Sequence, residues 1–221
     1  ATPVFDPPAG AYTDAINVSI TCATDGATIR YTTDGSEPTE SSQTYSTPIA
    51  VSANTTLKAK AWADDYEPSY TATAAYIFPI VVQNLSELRQ QNADNSSVYY
   101  VANEVILTFK QSNRNQKFVQ DGGAAILIDD QPGVIVSNYQ IGDAIEGLTG
   151  KLNLYYETLQ FIPTMDPGPA VSSGNSIEIP TLTIAQINGD IGVNNYQSRL
   201  VHINDVQFDS PSGNYATNPA Q

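Results

Sequence analysis

The amino-acid sequence predicts an all-β protein of two domains with one or two short helices. Two observations support this class. Apolar and polar residues alternate along short segments, which is the pattern of strands with one buried face, and the segments recur at the ~8–12-residue spacing of compact β-domains. Of the 221 residues, 41% are apolar and only 14% are charged. The chain therefore has enough apolar residues to form a sizeable core.

Residues 1–79 carry the clearest strand pattern and predict an immunoglobulin- or fibronectin-III-like β-sandwich. The predicted strands lie at 16–22, 27–32, 49–51, 55–62 and 70–78. In the fourth of these, Leu57, Ala59 and Ala61 are expected to face inward. A turn is predicted at Asp34–Gly35, because glycine readily adopts a positive φ.

Residues 80–209, which follow Pro79, form the second predicted domain. A helix is predicted at 85–92, with Ser86 near its start. Strands are predicted at 104–110, 117–121, 124–129, 151–156, 159–161 and 199–208, with a helical turn at 183–187. In the first strand, Val105, Leu107 and Phe109 are expected to share one face. The glycines of segment 140–150 predict the bends of a strongly coiled sheet. The composition of residues 210–221 predicts a loose tail.

The first domain resembles the chitobiase/β-hexosaminidase carboxy-terminal-type domain over residues 3–78. The residues that carry the resemblance are Pro7-Pro8-Ala9-Gly10-Ala11-Tyr12, Ile29-Arg-Tyr31-Thr-Thr-Asp34-Gly35-Ser-Glu-Pro38-Thr and Thr55-Thr-Leu57-Lys-Ala-Lys-Ala61-Trp62-Ala. Domains of this kind are fibronectin-III-like sandwiches appended to secreted bacterial enzymes. The resemblance implies a spacer or binding accessory and no catalytic residue.

The second domain is similar to the OB-fold domains of secreted or surface proteins from the Bacteroidetes group, over residues 98–208. The similarity is carried by Lys117-Phe-Val-Gln-Asp121-Gly, Ala125-Ile-Leu-Ile, Ile141-Gly-Asp143 and Gly147-Leu-Thr-Gly150-Lys-Leu. It implies an OB-fold-like Greek-key barrel. Related modules accompany extracellular nucleases, but no nuclease motif occurs in this sequence.

The formal net charge of −14 restricts the possible partners. Residues 1–79 carry three basic and nine acidic side chains (3 − 9 = −6), and residues 80–221 carry six and fourteen (6 − 14 = −8). Such a surface repels polyanions and disfavours nucleic acid without excluding it. It also disfavours anionic membranes. A glycan or another protein remains compatible with this charge, and the oligomeric state stays open.

Trp62 is the first candidate ligand-binding residue. It lies out of phase with the inward residues of its strand, beside Lys58 and Lys60. If it is exposed together with Tyr66 or Tyr70, its ring offers a face on which a sugar can stack. The competing interpretation is that Trp62 only covers the edge of the sandwich.

A second candidate surface surrounds the loop between the first two strands of the predicted barrel, where OB-folds bind oligonucleotides and oligosaccharides. Basic side chains flank this loop, and aromatic side chains nearby offer stacking surface. These residues are Lys110, Arg114, Lys117, Phe118, Tyr155 and Tyr156. The competing interpretation is a solvated loop with aromatic residues that face the core.

No catalytic, cofactor or metal motif is recognisable in the sequence. Cys22 is the single cysteine and is expected to be buried and inert. Glu146 and Glu157 form a possible acid–base pair, but any acidic chain provides such pairs. Asp129–Asp130 and the pair Asp34 and Glu37 could help to bind a cation such as calcium, but neither has the regular ligand spacing of a calcium loop, and both are expected to be turn and surface acids. We therefore predict a protein that is not an enzyme and has no cofactor; a hydrolase with an unrecognised site is the least favoured alternative.

The predicted function is that of an extracellular or cell-surface accessory module that binds carbohydrate or protein. The alternative is a nucleic-acid-binding accessory of a secreted nuclease. The longest apolar run, 77–82, contains Pro79 and is too short to span a membrane. The chain begins at Ala1 without a methionine, so it is expected to be a mature or trimmed form whose targeting segment cannot be read.

Overall fold

The computed structural model describes residues 1–189 and 196–204, most of which lie in or between β-strands. Their buried apolar side chains form two cores that share no residue. One core includes Val18, Val51, Leu57, Ala74 and Tyr76. The other is larger, begins at Val82 in the chain, and includes Leu107, Ile126, Leu152 and Phe161.

The amino-terminal unit contains two sheets that pack face to face. Its strands are β1 (Val4–Asp6), β2 (Gly10–Ala11), β3 (Ile16–Thr21), β4 (Thr28–Thr32), β5 (Gln43–Thr44), β6 (Ile49–Val51), β7 (Thr55–Trp62) and β8 (Ala72–Ile77). The first sheet has the order β1-β3-β6, and the second has the order β2-β8-β7-β4-β5. Each sheet contributes buried residues to the shared core. The prediction of an all-β sandwich is confirmed for this unit.

Strand β7 shows how the sequence pattern produces the sandwich. Leu57 and Ala59 are fully buried and Ala61 is 4% exposed, as their alternation predicts. The intervening residues point away from the core and are half-buried. The predicted turn at Asp34–Gly35 is present, with φ of +77° at Gly35. The Asp34 carboxylate accepts hydrogen bonds from the amide and hydroxyl of Ser36.

Cys22 differs from its prediction. The residue follows β3, is only half-buried, and donates a hydrogen bond from Sγ to the carbonyl oxygen of Ala1. The alternation of β3 ends at Thr21, so it does not carry Cys22 into the core. The expectation of full burial is therefore wrong.

The second unit is built on one eight-stranded sheet. Its strands are β9 (Ile80–Val82), β10 (Asp94–Val101), β11 (Val105–Gln111), β12 (Gln116–Gln120), β13 (Ala125–Asp129), β14 (Ala144–Ile145), β15 (Thr149–Tyr155) and β16 (Thr158–Pro163). The order across the sheet is β14-β11-β12-β13-β16-β15-β10-β9. All neighbours are antiparallel except β13–β16 and β9–β10. Strands β10 and β11 follow each other in the chain yet lie near opposite ends of this order, so the sheet curls round on itself.

At Gly150 the backbones of β15 and β16 approach each other closely, which permits this curvature. A β-carbon built there would lie 2.3 Å from the carbonyl oxygen of Ile162 and 2.6 Å from the Phe161 ring. Only glycine fits such a contact. Gly142 and Gly147 contribute differently, since both have a positive φ. The glycines that the sequence assigned to bends therefore include two turn positions and one packing position.

The expectation that Phe109 shares the buried face of β11 is wrong. The pairing of β11 with β12 shifts between Leu107 and Phe109, as a β-bulge does. The extra residue turns Thr108 inward, where it is 5% exposed, and leaves Phe109 50% exposed. Alternation along the sequence cannot predict where such a bulge falls.

The helices are short and capped by polar side chains. Helix α1 (Leu85–Leu88) ends earlier than predicted, and its N-cap is Asn84, whose side chain accepts from the Glu87 amide. Leu85 and Leu88 are fully buried. Helix α2 (Ile184–Gly189) begins after Thr183, whose hydroxyl accepts from the Gln186 amide. No helix in the described part of the chain is long and apolar enough to cross a membrane.

Two further short strands, β17 (Thr181–Leu182) and β18 (His202–Ile203), lie on either side of α2 in the chain and pair in parallel. Strand β18 corresponds to part of the strand predicted at 199–208. The rest of that strand from 205 onward, and the predicted tail at 210–221, lie outside the described residues.

Candidate functional site

Trp62 and Tyr66 lie together on one groove of the amino-terminal sandwich. The groove has a volume of about 550 Å³, and its walls also include the charged residues Arg30, Glu40 and Asp64. Trp62 is half-buried, whereas Tyr66 is 71% exposed. The structure thus brings together two aromatic rings and three charged side chains, a combination that suits a polar ligand with apolar faces.

The backbone after β7 explains why these two rings meet. The chain turns at 63–66, with a positive φ of 63° at Asp65 and a hydrogen bond from the Tyr66 amide to the Ala63 carbonyl. Ser69 then returns to β7, because its amide and hydroxyl both bond to the backbone of Ala61. The turn therefore places Tyr66 close to Trp62 at the strand end.

Tyr70 lies apart from this pair. It is 88% exposed and does not line the groove. Of the two tyrosines that the sequence associated with Trp62, the structure therefore groups Tyr66 with it and leaves Tyr70 outside.

Arg30 is a groove residue that sequence reasoning missed. It lies on β4 directly opposite Lys60 of β7. Its guanidinium Nη1 donates to the Ser42 carbonyl at 2.7 Å and to the Thr44 hydroxyl at 3.1 Å. These bonds fix the arginine on the sheet surface. The register of β4 against β7 brings it to Trp62, and nothing in the sequence alone gives that register.

The predicted barrel surface divides into two environments. Lys110 and Lys117 line a pocket of about 400 Å³ between the β11–β12 hairpin and segment 135–139. The Lys110 ammonium donates to the Tyr139 carbonyl at 2.6 Å. This pocket also contains apolar side chains, among them Val136, which is 80% exposed.

Lys117 is buried, contrary to the expectation of a solvated lysine beside a loop. Its Nζ lies 3.2 Å from the Asp130 carboxylate, and the two side chains are 10% and 0% exposed. Asn115 bridges them, donating to Asp130 and accepting from Lys117. Asp130 also accepts from the amides of Val134 and Ile135. The pair thus ties the hairpin to the following loop.

Arg114 forms the second environment on the outside of the hairpin. Its guanidinium bonds to Asp129 at 2.9 Å, and this bond is the main reason why its pKa is raised. The same group lies 5.9 Å from the centroid of the Tyr155 ring, within range of a cation–π interaction. Tyr155 contacts Tyr156 edge-on at 4.6 Å. Sequence reasoning treated Asp129 and Asp130 as simple turn acids and missed that they pair with these cations.

The aromatic residues of this surface are more exposed than a core-facing role would allow. Tyr155 is 48% and Tyr156 is 87% exposed. Phe118 is half-buried on the outer face of β12 and packs against Phe109 with ring centroids 5.7 Å apart. These rings, from the β11–β12 and β15–β16 hairpins, provide exposed apolar surface.

The structure places Glu146, Glu157 and His202 at exposed positions. The two glutamates belong to different loops. No group of three or more histidine, cysteine or acidic side chains in this part of the chain is placed to hold a metal ion. His202 lies on β18.

Comparison with known proteins identifies the amino-terminal sandwich. Residues 7–73 match the family model of the chitobiase/beta-hexosaminidase C-terminal domain. No curated protein and no solved structure matches the chain. Domains of the matched type are non-catalytic accessories of carbohydrate-active enzymes. The match confirms the resemblance drawn from the sequence, so the amino-terminal domain of this chain is a domain of the chitobiase/beta-hexosaminidase C-terminal type.

Proposed function

We propose that this chain is a non-catalytic extracellular or cell-surface accessory module that binds carbohydrate through the groove at Trp62 and Tyr66. The observation that carries the proposal is the placement of both rings on one groove with Arg30, Glu40 and Asp64. Aromatic rings pack against the C–H faces of sugars, while charged side chains bond to the hydroxyl groups. The family of the domain supports a role beside carbohydrate-active enzymes.

Binding can be tested with the purified chain on a broad glycan array, followed by calorimetry on the best ligand. Replacing Trp62 with alanine is expected to weaken binding about 30-fold, because truncating a central aromatic side chain costs ~2 kcal/mol of binding energy. Tyr66→Ala is expected to weaken it less, since that ring is more exposed. Tyr70→Ala is the matched control and should leave binding unchanged. An array without any hit, or a silent Trp62→Ala variant, would contradict the proposal.

We also propose that residues 80–209 form an OB-fold-like barrel. Support comes from the pairing of the strands, if β10 and β11 are taken as the two halves of one bent first strand. That strand then pairs with β12 and β15, β12 pairs with β13, and β13 pairs in parallel with β16. With β15 also paired to β16, this pairing supports the five-stranded Greek-key arrangement of an OB-fold. An experimental structure with a different strand order would refute it.

Binding of single-stranded nucleic acid by this second unit is the alternative function. The observation that favours it is the cluster of Arg114 with Tyr155 and Tyr156 beside the hairpin, since stacked aromatics and arginine bind bases. Two observations weigh against it. Arg114 is paired with Asp129, and Lys117 is buried against Asp130, so little positive charge is free to face a phosphate.

The alternative predicts salt-sensitive binding of single-stranded DNA or RNA. Fluorescence anisotropy at low salt measures it directly. Binding should fall in Arg114→Ala and Tyr156→Ala variants and persist in Trp62→Ala, because Trp62 lies in the other unit. No change of anisotropy at low salt would exclude this function and leave the carbohydrate proposal unaffected.

A further inference from the structure

All three basic side chains of residues 1–79 lie on the outer face of one sheet. Arg30 of β4 is the direct cross-strand partner of Lys60 of β7, and Lys58 lies two residues before Lys60 on the same face. The nine acidic residues of this segment are spread along the chain from Asp6 to Glu67. Three of them lie near the basic side chains: Glu37 pairs with Lys58, and Glu40 and Asp64 line the same groove as Arg30. An acidic domain thus presents a compact basic patch, which we define as Arg30, Lys58 and Lys60.

The direct pairing of Arg30 with Lys60 opposes stability. Like charges directly opposite each other on neighbouring strands destabilise a sheet. An anion bound between the two side chains would attract both positive charges and so offset their mutual repulsion. The arrangement therefore makes chemical sense if a negatively charged group binds there.

In the described part of the chain, neither the Arg30 nor the Lys60 side chain forms a direct ion pair. The pKa of Glu37 is lowered mainly by its hydrogen bond from Thr71 and further by Lys58 and Lys60, so Lys60 interacts with that carboxylate only from a distance. Both hydrogen bonds of the Arg30 guanidinium go to neutral oxygens, on Ser42 and Thr44. The Lys60 ammonium lies 5.7 Å from the centroid of the Trp62 ring. Lys58 differs, because the Glu37 carboxylate lies 3.6 Å from it. Arg30 and Lys60 are therefore the members of the basic patch best able to bind an external anion.

The patch is continuous with the groove described above. Arg30 lines the groove together with Trp62, and Lys60 is two residues from Trp62 on one face, a separation of roughly 7 Å along a strand. If one sugar ring of a glycan stacks on Trp62, the next sugar of that glycan would therefore lie above Lys60 and Arg30. Glu40 and Asp64 also line this groove, and their carboxylates can accept hydrogen bonds from sugar hydroxyls.

We infer that the glycan bound by this domain is acidic and carries carboxylates on its sugar rings, as uronic-acid polymers do. The inference rests on the proposed carbohydrate binding and specifies its ligand class. Trp62 holds the face of one sugar, and Arg30 and Lys60 together bind the carboxylate of the next. Arginine suits this role because its planar guanidinium matches the geometry of a carboxylate.

The test compares an oligogalacturonate with its fully methyl-esterified form, in which each carboxylate is replaced by a neutral ester. Calorimetry with the full chain is expected to show at least about tenfold tighter binding of the charged form, the effect of one charge-assisted hydrogen bond. Binding of the charged form should weaken as salt rises to about 0.5 M, because salt screens exposed charges. Binding of the ester should not.

Lys60→Gln and Arg30→Gln are each expected to abolish the preference for the charged oligomer, whereas Lys60→Arg should retain it. Lys151→Gln, a change of the same charge in the other unit, is the matched control. All these side chains lie at the surface, and circular dichroism verifies that the variants fold. A charge preference that survives Lys60→Gln and Arg30→Gln would overturn the inference.

The outcomes separate the inference from the proposed function. Equal binding of the oligomer and its ester, with loss of both in Trp62→Ala, would overturn the acidic-ligand inference and support the carbohydrate proposal. Absence of binding to any glycan would overturn both. Equally tight binding of single-stranded DNA at the basic patch would show a general affinity for polyanions and would also overturn the inference.

Discussion

Lys117 and Asp130 form an ion pair of 3.2 Å that is closed off from solvent in the second unit. Asn115 contacts both partners, and the backbone amides of Val134 and Ile135 complete the hydrogen bonding of the carboxylate. The pair joins the β11–β12 hairpin to the loop after β13. It therefore holds the walls of the pocket between them in place.

Replacing Asp130 with alanine is expected to destabilise the protein by about 3–5 kcal/mol, because the buried Lys117 charge is then left without a partner. Urea denaturation measures the effect. Replacing both residues together, Lys117→Met with Asp130→Leu, should cost less than the single change. Lys58→Ala is the control, because its partner Glu37 is 56% exposed and loss of a surface ion pair should change stability little. Similar losses for Asp130→Ala and Lys58→Ala would contradict the prediction.

Gly150→Ala is expected to cost at least ~2–3 kcal/mol of stability, since the added methyl group would overlap the backbone of β16 and the Phe161 ring. Gly122→Ala provides a matched control, because a methyl group added at Gly122 would meet no atom within 4 Å. That change should be neutral or stabilise by about 0.4–1 kcal/mol. Thermal denaturation of the two variants distinguishes a packing glycine from a loop glycine, and equal melting temperatures would refute the distinction.

The turn between β15 and β16 has an unfavourable sequence. Tyr155 pairs with Thr158, so Tyr156 and Glu157 form a two-residue turn, with φ of 44° and 62°. Positive φ at both positions defines a type I′ turn, which favours Asn-Gly. The double variant Tyr156→Asn, Glu157→Gly should therefore gain ~1–2 kcal/mol of stability, which urea denaturation measures.

Gly26→Ala calibrates this effect in the opposite direction. Gly26 has φ of +71°, and a methyl group added there would meet no atom within 4 Å. The alanine should therefore lower the free energy of unfolding by about 1 kcal/mol through backbone strain alone. A loss of stability in the turn double variant would mean that the exposed Tyr156 ring makes a stabilising contact.

Ionisation of Tyr76 is expected to lower the stability of the sandwich at alkaline pH. Burial raises the pKa of this side chain to about 12, and its hydroxyl donates to the Pro7 carbonyl at 2.9 Å. The unfolded chain releases this proton near pH ~10, so the contribution of Tyr76 to the stability of the folded protein is complete below that pH. It is then lost as the pH rises from about 10 to 12.

Replacing Tyr76 with phenylalanine removes both the hydrogen bond and the ionisation. The variant should be less stable than the unmodified protein by about 1 kcal/mol at neutral pH, the value of one hydrogen bond. Above pH ~10 this difference should shrink, because only the unmodified protein then loses stability through this group. Denaturation at several pH values measures the difference, and a gap that stays constant up to pH ~12 would rule out the mechanism.

Local patterns in the amino-acid sequence were enough to assign part of the structure. Alternation in β7 assigned Leu57, Ala59 and Ala61 to the core, and glycine at position 35 marked its turn, because strand periodicity and turn chemistry act over a few neighbouring residues. The same pattern placed Trp62 outside the core. The identity of the sandwich also followed from short motifs, as the family match over residues 7–73 confirms.

Contacts between residues far apart in the chain follow only from the folded structure. The bulge in β11 exposed Phe109, the register of β4 against β7 brought Arg30 to Trp62, and folding of the second unit buried Lys117 against Asp130. Each of these depends on pairing between segments far apart in the chain, where shifting a strand by one residue exchanges its two faces. Composition and periodicity contain no information on that register, so the basic patch beside the groove is visible only in the folded protein.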